Sequence, residues 1–71
     1  MLSPNDKKVL EILSKRELIT KGELMKLLER ESVDGAEVSV SRLRERGLID
    51  QVQNLGNCLV ITKQGLKALR E

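Results

Sequence analysis

The sequence predicts a single α+β domain spanning residues 1–71, in which short helices pack around one β-hairpin. Three observations predict it. Helix-start signals precede apolar residues at helical spacing, at Ser3, Thr20, Asp34 and Thr62. Two short extended stretches, 48–53 and 58–61, flank the turn-forming run Asn54-Leu55-Gly56-Asn57. The chain has 71 residues and is 39% hydrophobic and 34% charged, which suits a soluble globule better than a disordered tail.

The elements follow in order. Ser3 is an N-cap, Pro4 takes the first helical position, and Asp6, three residues after the cap, closes a capping box. Val9, Leu10, Ile12 and Leu13 form the apolar face of this helix, which ends near residues 14–16, where Lys15 and Arg16 complement its negative end. Leu18-Ile19 is a short extended piece. Thr20 caps a second helix with Glu23 reaching back, and Leu24, Leu27 and Leu28 follow, with Met25 beside them, to about Arg30. After a turn at Ser32-Val33, Asp34 and Glu37 make a third capping box. The third helix covers 34–46, and Gly47 supplies the left-handed residue that ends it. At about 100° per residue, Val33, Ala36, Val40, Leu43 and Gly47 share one stripe. Gly35, Val38, Ser39, Ser41, Arg42, Glu45 and Arg46 fall outside it. The hairpin covers 48–61, with Gly56 at positive φ in its turn. Thr62 caps a last short helix with Leu66 and Leu69 inward. This layout is that of a winged helix-turn-helix: a three-helix core, a two-stranded wing hairpin and a short C-terminal helix.

Composition excludes several functions. The chain has no His, Trp, Tyr or Phe and a single Cys, Cys58. A catalytic triad and most zinc sites lack their residues, and no nucleophile–base pair or metal set emerges, so neither an enzyme nor a cofactor is expected. One cysteine builds no internal disulfide, and without aromatic rings the chain lacks the usual platform for single-stranded nucleic acid. No apolar run approaches the roughly 20 residues that cross a bilayer, and no signal peptide is evident, so a cytoplasmic setting is expected. The net charge of +2 is spread without a block of like sign.

Three stretches resemble the winged-helix superfamily, in particular small MarR-like regulators of bacteria, archaea and their viruses. Ile19-Thr20-Lys21-Gly22-Glu23-Leu24 matches the entry to the second helix. Val40-Ser41-Arg42-Leu43-Arg44-Glu45-Arg46-Gly47-Leu48-Ile49 is similar to a recognition helix running into a Gly-Leu-Ile wing strand. Leu59-Val60-Ile61-Thr62-Lys63-Gln64-Gly65-Leu66 is similar to the Leu-Thr-x-x-Gly run that closes the wing. The resemblance implies a transcriptional regulator that binds double-stranded DNA with its third helix in the major groove. Gly35, Val38, Ser39 and Arg42 would take base-reading places, and Ser41, Arg44 and Arg46 would hold phosphates. Thr20 and Lys21 would grip the backbone at the second helix N-terminus, and Gln53 and Asn54 would serve in the wing.

Other features temper that expectation. Asp34 and Glu37 put negative charge at the tip of the third helix, where capping alone explains them. The wing carries no Lys or Arg between Arg46 and Lys63, and Asn54 and Asn57 also suit a plain turn. A protein-docking module is therefore the alternative, with Val38, Leu55 and Met25 as anchors and a hairpin edge open to a partner strand. Met25, Leu55 and one side of the last helix are also spare apolar surface for a homodimer.

Overall fold

The computed structural model describes residues 2–16, 18–53 and 56–71. Within them the chain is α+β, with four helices and a three-stranded antiparallel sheet. The order is α1 (Pro4–Lys15), β1 (Ile19–Thr20), α2 (Lys21–Arg30), α3 (Ala36–Glu45), β2 (Ile49–Val52), β3 (Cys58–Ile61) and α4 (Lys63–Arg70). Asn54 and Leu55, which the sequence places in a turn, lie outside the described residues.

Local chemistry explains most of the boundaries. Ser3 accepts from the Asp6 amide while Asp6 accepts from the Ser3 amide, completing the capping box that starts α1. Thr20 accepts from the Glu23 amide at the start of α2. Thr62 does the same for Gly65 at the start of α4 and donates its hydroxyl to the Gly47 carbonyl, tying α4 to the exit of α3. Gly47 and Gly56 hold positive φ as their turns require.

The start of α3 departs from expectation. It begins at Ala36, not at Asp34, and its N-cap is Gly35 in the left-handed region with no side-chain cap. The expected Asp34–Glu37 capping box is absent. Gly35 turns the chain at φ 72°, and the Asn5 side chain donates to the Asp34 carbonyl, so α1 rather than a reciprocal cap holds the entry.

In the sheet β3 is central, in the order β1-β3-β2. Ile19 opposes Leu59 across β1 and β3, and Ile49 opposes Ile61 across β2 and β3. The core is aliphatic throughout. Val9, Leu10 and Leu13 of α1 meet Leu24 and Leu28 of α2, Val40 and Leu43 of α3, and Ile19, Ile49 and Leu59 of the sheet. Cys58 is buried beside them.

Leu18, and Leu66 against expectation, face outward. Leu18 is 47% exposed because side chains alternate along an extended strand and its neighbour Ile19 takes the inward side. Leu66 is 38% exposed because Gly65 and Leu69 set the inward line of α4. Gly65 is buried and lies so close to the Leu48 carbonyl that a Cβ would collide with it, and that Cβ would also come within 2.7 Å of Ile61. The Leu48 carbonyl cannot withdraw freely, since it accepts the Thr62 amide at 3.1 Å.

Gly65→Ala should therefore cost about 1–3 kcal/mol through overpacking. Gly22→Ala, in a helix with nothing near the added methyl, should gain a few tenths to about 1 kcal/mol. Urea denaturation checks both; equal effects would refute the close approach of α4 to Leu48.

Candidate nucleic-acid interface

The inner side of α3 is set by an electrostatic contact as well as by packing. Asp6 is 1% exposed. Its carboxylate accepts from the Arg42 guanidinium at 2.8 Å, from the Ser3 amide at 3.2 Å and from the Ser39 hydroxyl. The same Arg42 nitrogen lies 3.4 Å from the Ser3 hydroxyl. Burial pushes the Asp6 carboxyl up. The hydrogen bonds from Arg42, Ser3 and Ser39, together with the Arg42 charge, outweigh burial and hold it below the usual carboxylate range. Among the described residues no buried side-chain nitrogen or oxygen lacks a partner.

This network corrects two expectations. Ser39 is not on the outer face of α3: it is 2% exposed and turned toward Asp6. Arg42 is half-buried and committed to Asp6 across 36 positions of sequence. Stripping the partner from a buried carboxylate is costly, so Arg42 is held toward α1, while 38% of its side chain stays exposed beside the outer side of α3.

The other candidates stay on the surface. Gly35, Val38, Ser41, Arg44 and Arg46 are exposed along α3 and its ends, with Val38 65% exposed. Thr20 and Lys21 are exposed where β1 enters α2. The Lys21 amide donates to the Asn57 carbonyl at 2.9 Å, which brings the α2 entrance beside the hairpin. Gln53 is exposed at the end of β2, and Asn54 lies outside the described residues. Glu37 and Glu45 flank Val38, Ser41 and Arg42 in a shallow depression on the outer side of α3. Lys21, Arg44 and Arg46 form no ion pair among the described residues.

Of the docking anchors, Met25 is half-buried against the core and Leu55 lies outside the described residues. Val38 remains, and Leu66 is the large apolar side chain left exposed on α4.

Asp6→Asn should lower stability at neutral pH by about 1–3 kcal/mol, because the charged acceptor of three donors is lost. The folded carboxyl titrates below its unfolded value. The stabilisation is therefore complete above about pH 4 and disappears as pH falls through the folded value. Urea midpoints at neutral and strongly acidic pH should show the gap between native and Asp6→Asn protein closing on acidification. A constant gap would contradict the network.

Among the described residues no helix is long and apolar enough to cross a membrane. No family model, curated protein or solved structure matches this chain.

Proposed function

We propose that this chain is a winged helix-turn-helix protein that binds double-stranded DNA and regulates transcription, with α3 in the major groove and the β2–β3 hairpin as the wing. The observation that carries this reading is the two-sidedness of α3. Its inner side is locked to α1 by Val40, Leu43, Ser39 and Arg42, while Val38, Ser41 and Arg44 stay open on the other. A helix held rigidly on one side and bare on the other suits a groove wide enough to admit it.

Charge supports backbone contact more than base reading. Without Ser39 and Arg42, the outer face keeps Gly35 and Val38 at base-reading places, suited to close backbone approach and to a thymine methyl, with Ser41 placed for a phosphate. Lys21, Arg44 and Arg46 are uncommitted cations for phosphates. The first amides of α3 have no side-chain cap, and a helix N-terminus favours a phosphate. Glu37 and Glu45 oppose this attraction, so binding relies on a few phosphate contacts and is strongly screened by salt.

Docking of a protein is a second reading, favoured by the exposure of Val38 and by the place of β2 at the free edge of the sheet.

Gel-shift with a mixed-sequence duplex separates the two. With phosphate contacts from Lys21, Arg44 and Arg46, affinity should fall at least roughly 40-fold between 50 and 200 mM salt. Arg44→Gln with Arg46→Gln should flatten that dependence by nearly two units of log–log slope. Absence of duplex binding at the lower salt would refute DNA binding and leave docking, and a slope indifferent to both substitutions would refute α3 as the face that meets the duplex.

A further inference from the structure

A concentration of uncommitted positive charge lies away from α3. A groove runs between the end of α1 and the outer side of α2, lined by Arg16, Lys26 and Arg30 with Thr20, Glu23 and Leu27. Lys26 and Arg30 are four residues apart and share one face of α2, while Arg16 reaches the groove from the C-cap of α1. The three cations come from two separate elements; Glu23 lines the groove with them, and Glu29 stands beside Lys26 and Arg30.

Two cations of the described residues are committed to acids: Lys8 meets Glu31 at 2.6 Å and Arg42 meets Asp6 at 2.8 Å. Arg16, Lys26 and Arg30 form no ion pair and no side-chain hydrogen bond among the described residues, although Glu23 and Glu29 lie within a turn of Lys26 on α2. The outer face of α3, by contrast, sets Glu37 and Glu45 around an arginine that is already taken.

We propose that this groove is a second phosphate-binding surface, along which one strand of the bound duplex continues beyond Thr20 and Lys21. Three observations fit that occupant. The groove is net positive and offers mainly donors. Lys26 and Arg30 stand about 6 Å apart along the axis of α2 and Arg16 adds a third point from α1, which suits an extended polyanion better than one isolated anion. It also shares Thr20 with the candidate interface, so the two surfaces are continuous. The inference rests on the DNA-binding reading and adds to it a contact set that α3 does not supply.

The test is the salt dependence of duplex binding by the full chain and by the triple variant Arg16→Gln, Lys26→Gln, Arg30→Gln. All three side chains are exposed, and circular dichroism confirms that the variant is folded. With six phosphate contacts, the native protein should lose roughly 10³-fold in affinity between 50 and 200 mM salt, and the triple variant roughly 40-fold. If the native protein binds duplex and responds to the Arg44 and Arg46 substitutions but the triple variant keeps the native slope, the groove is overturned and DNA binding by α3 stands. If the native protein binds no duplex at low salt, both fall. Binding of poly-glutamate through these three cations, with duplex affinity unchanged by their removal, would assign the groove to an acidic peptide and overturn the proposal.

Discussion

The Asp6 carboxylate is the constraint on which the arrangement of this small domain depends. It sits at the third position of α1, where it closes a capping box, and it is buried. A charge in that place is tolerable only when its oxygens are occupied, and two of its donors, Arg42 and Ser39, come from α3. One residue therefore starts the first helix and fixes the third against it. Apolar contacts alone would hold α3 near α1, but they are not directional. The carboxylate specifies which turn of α3 faces inward.

That inward choice determines what remains outside. With Ser39 and Arg42 drawn toward α1, the bare side of α3 presents Val38, Ser41 and Arg44, with Glu37 and Glu45 around them. Free positive charge is found at the edges of this face, in Lys21 and Arg46, and in the groove beside α2. A polyanion would be held mostly from its backbone, and sequence preference would come from few contacts. Pairing with Asp6 thus draws Arg42 partly out of the exposed face.

Much of this was readable from the sequence. Ser3, Thr20 and Thr62 announce their helices through short-range hydrogen bonds that involve only neighbours in the chain. Gly47 and Gly56 mark turns through φ alone. The aliphatic core follows from periodicity. Failures occur where the partner is distant. Nothing near Arg42 in sequence reveals Asp6, and nothing near Asp34 reveals that Asn5 would hold its carbonyl and leave Gly35 as the cap. Ser39 did carry a signal: with Ala36, Val40 and Leu43 it completes the i, i+3, i+4, i+7 spacing of a buried face, and only its hydroxyl argued otherwise. No local pattern marks the groove, because Arg16 and the α2 cations belong to different elements and meet only in the fold.

The most direct measurement is a double-mutant cycle on Asp6 and Arg42 by urea denaturation at neutral pH, using Asp6→Asn, Arg42→Met and the two combined. If the carboxylate specifies the seating of α3, the pair should show a coupling of about 1 kcal/mol or more, with the double variant losing less than the two single losses together. Strictly additive losses would mean that the two side chains act independently, and that packing alone seats the helix.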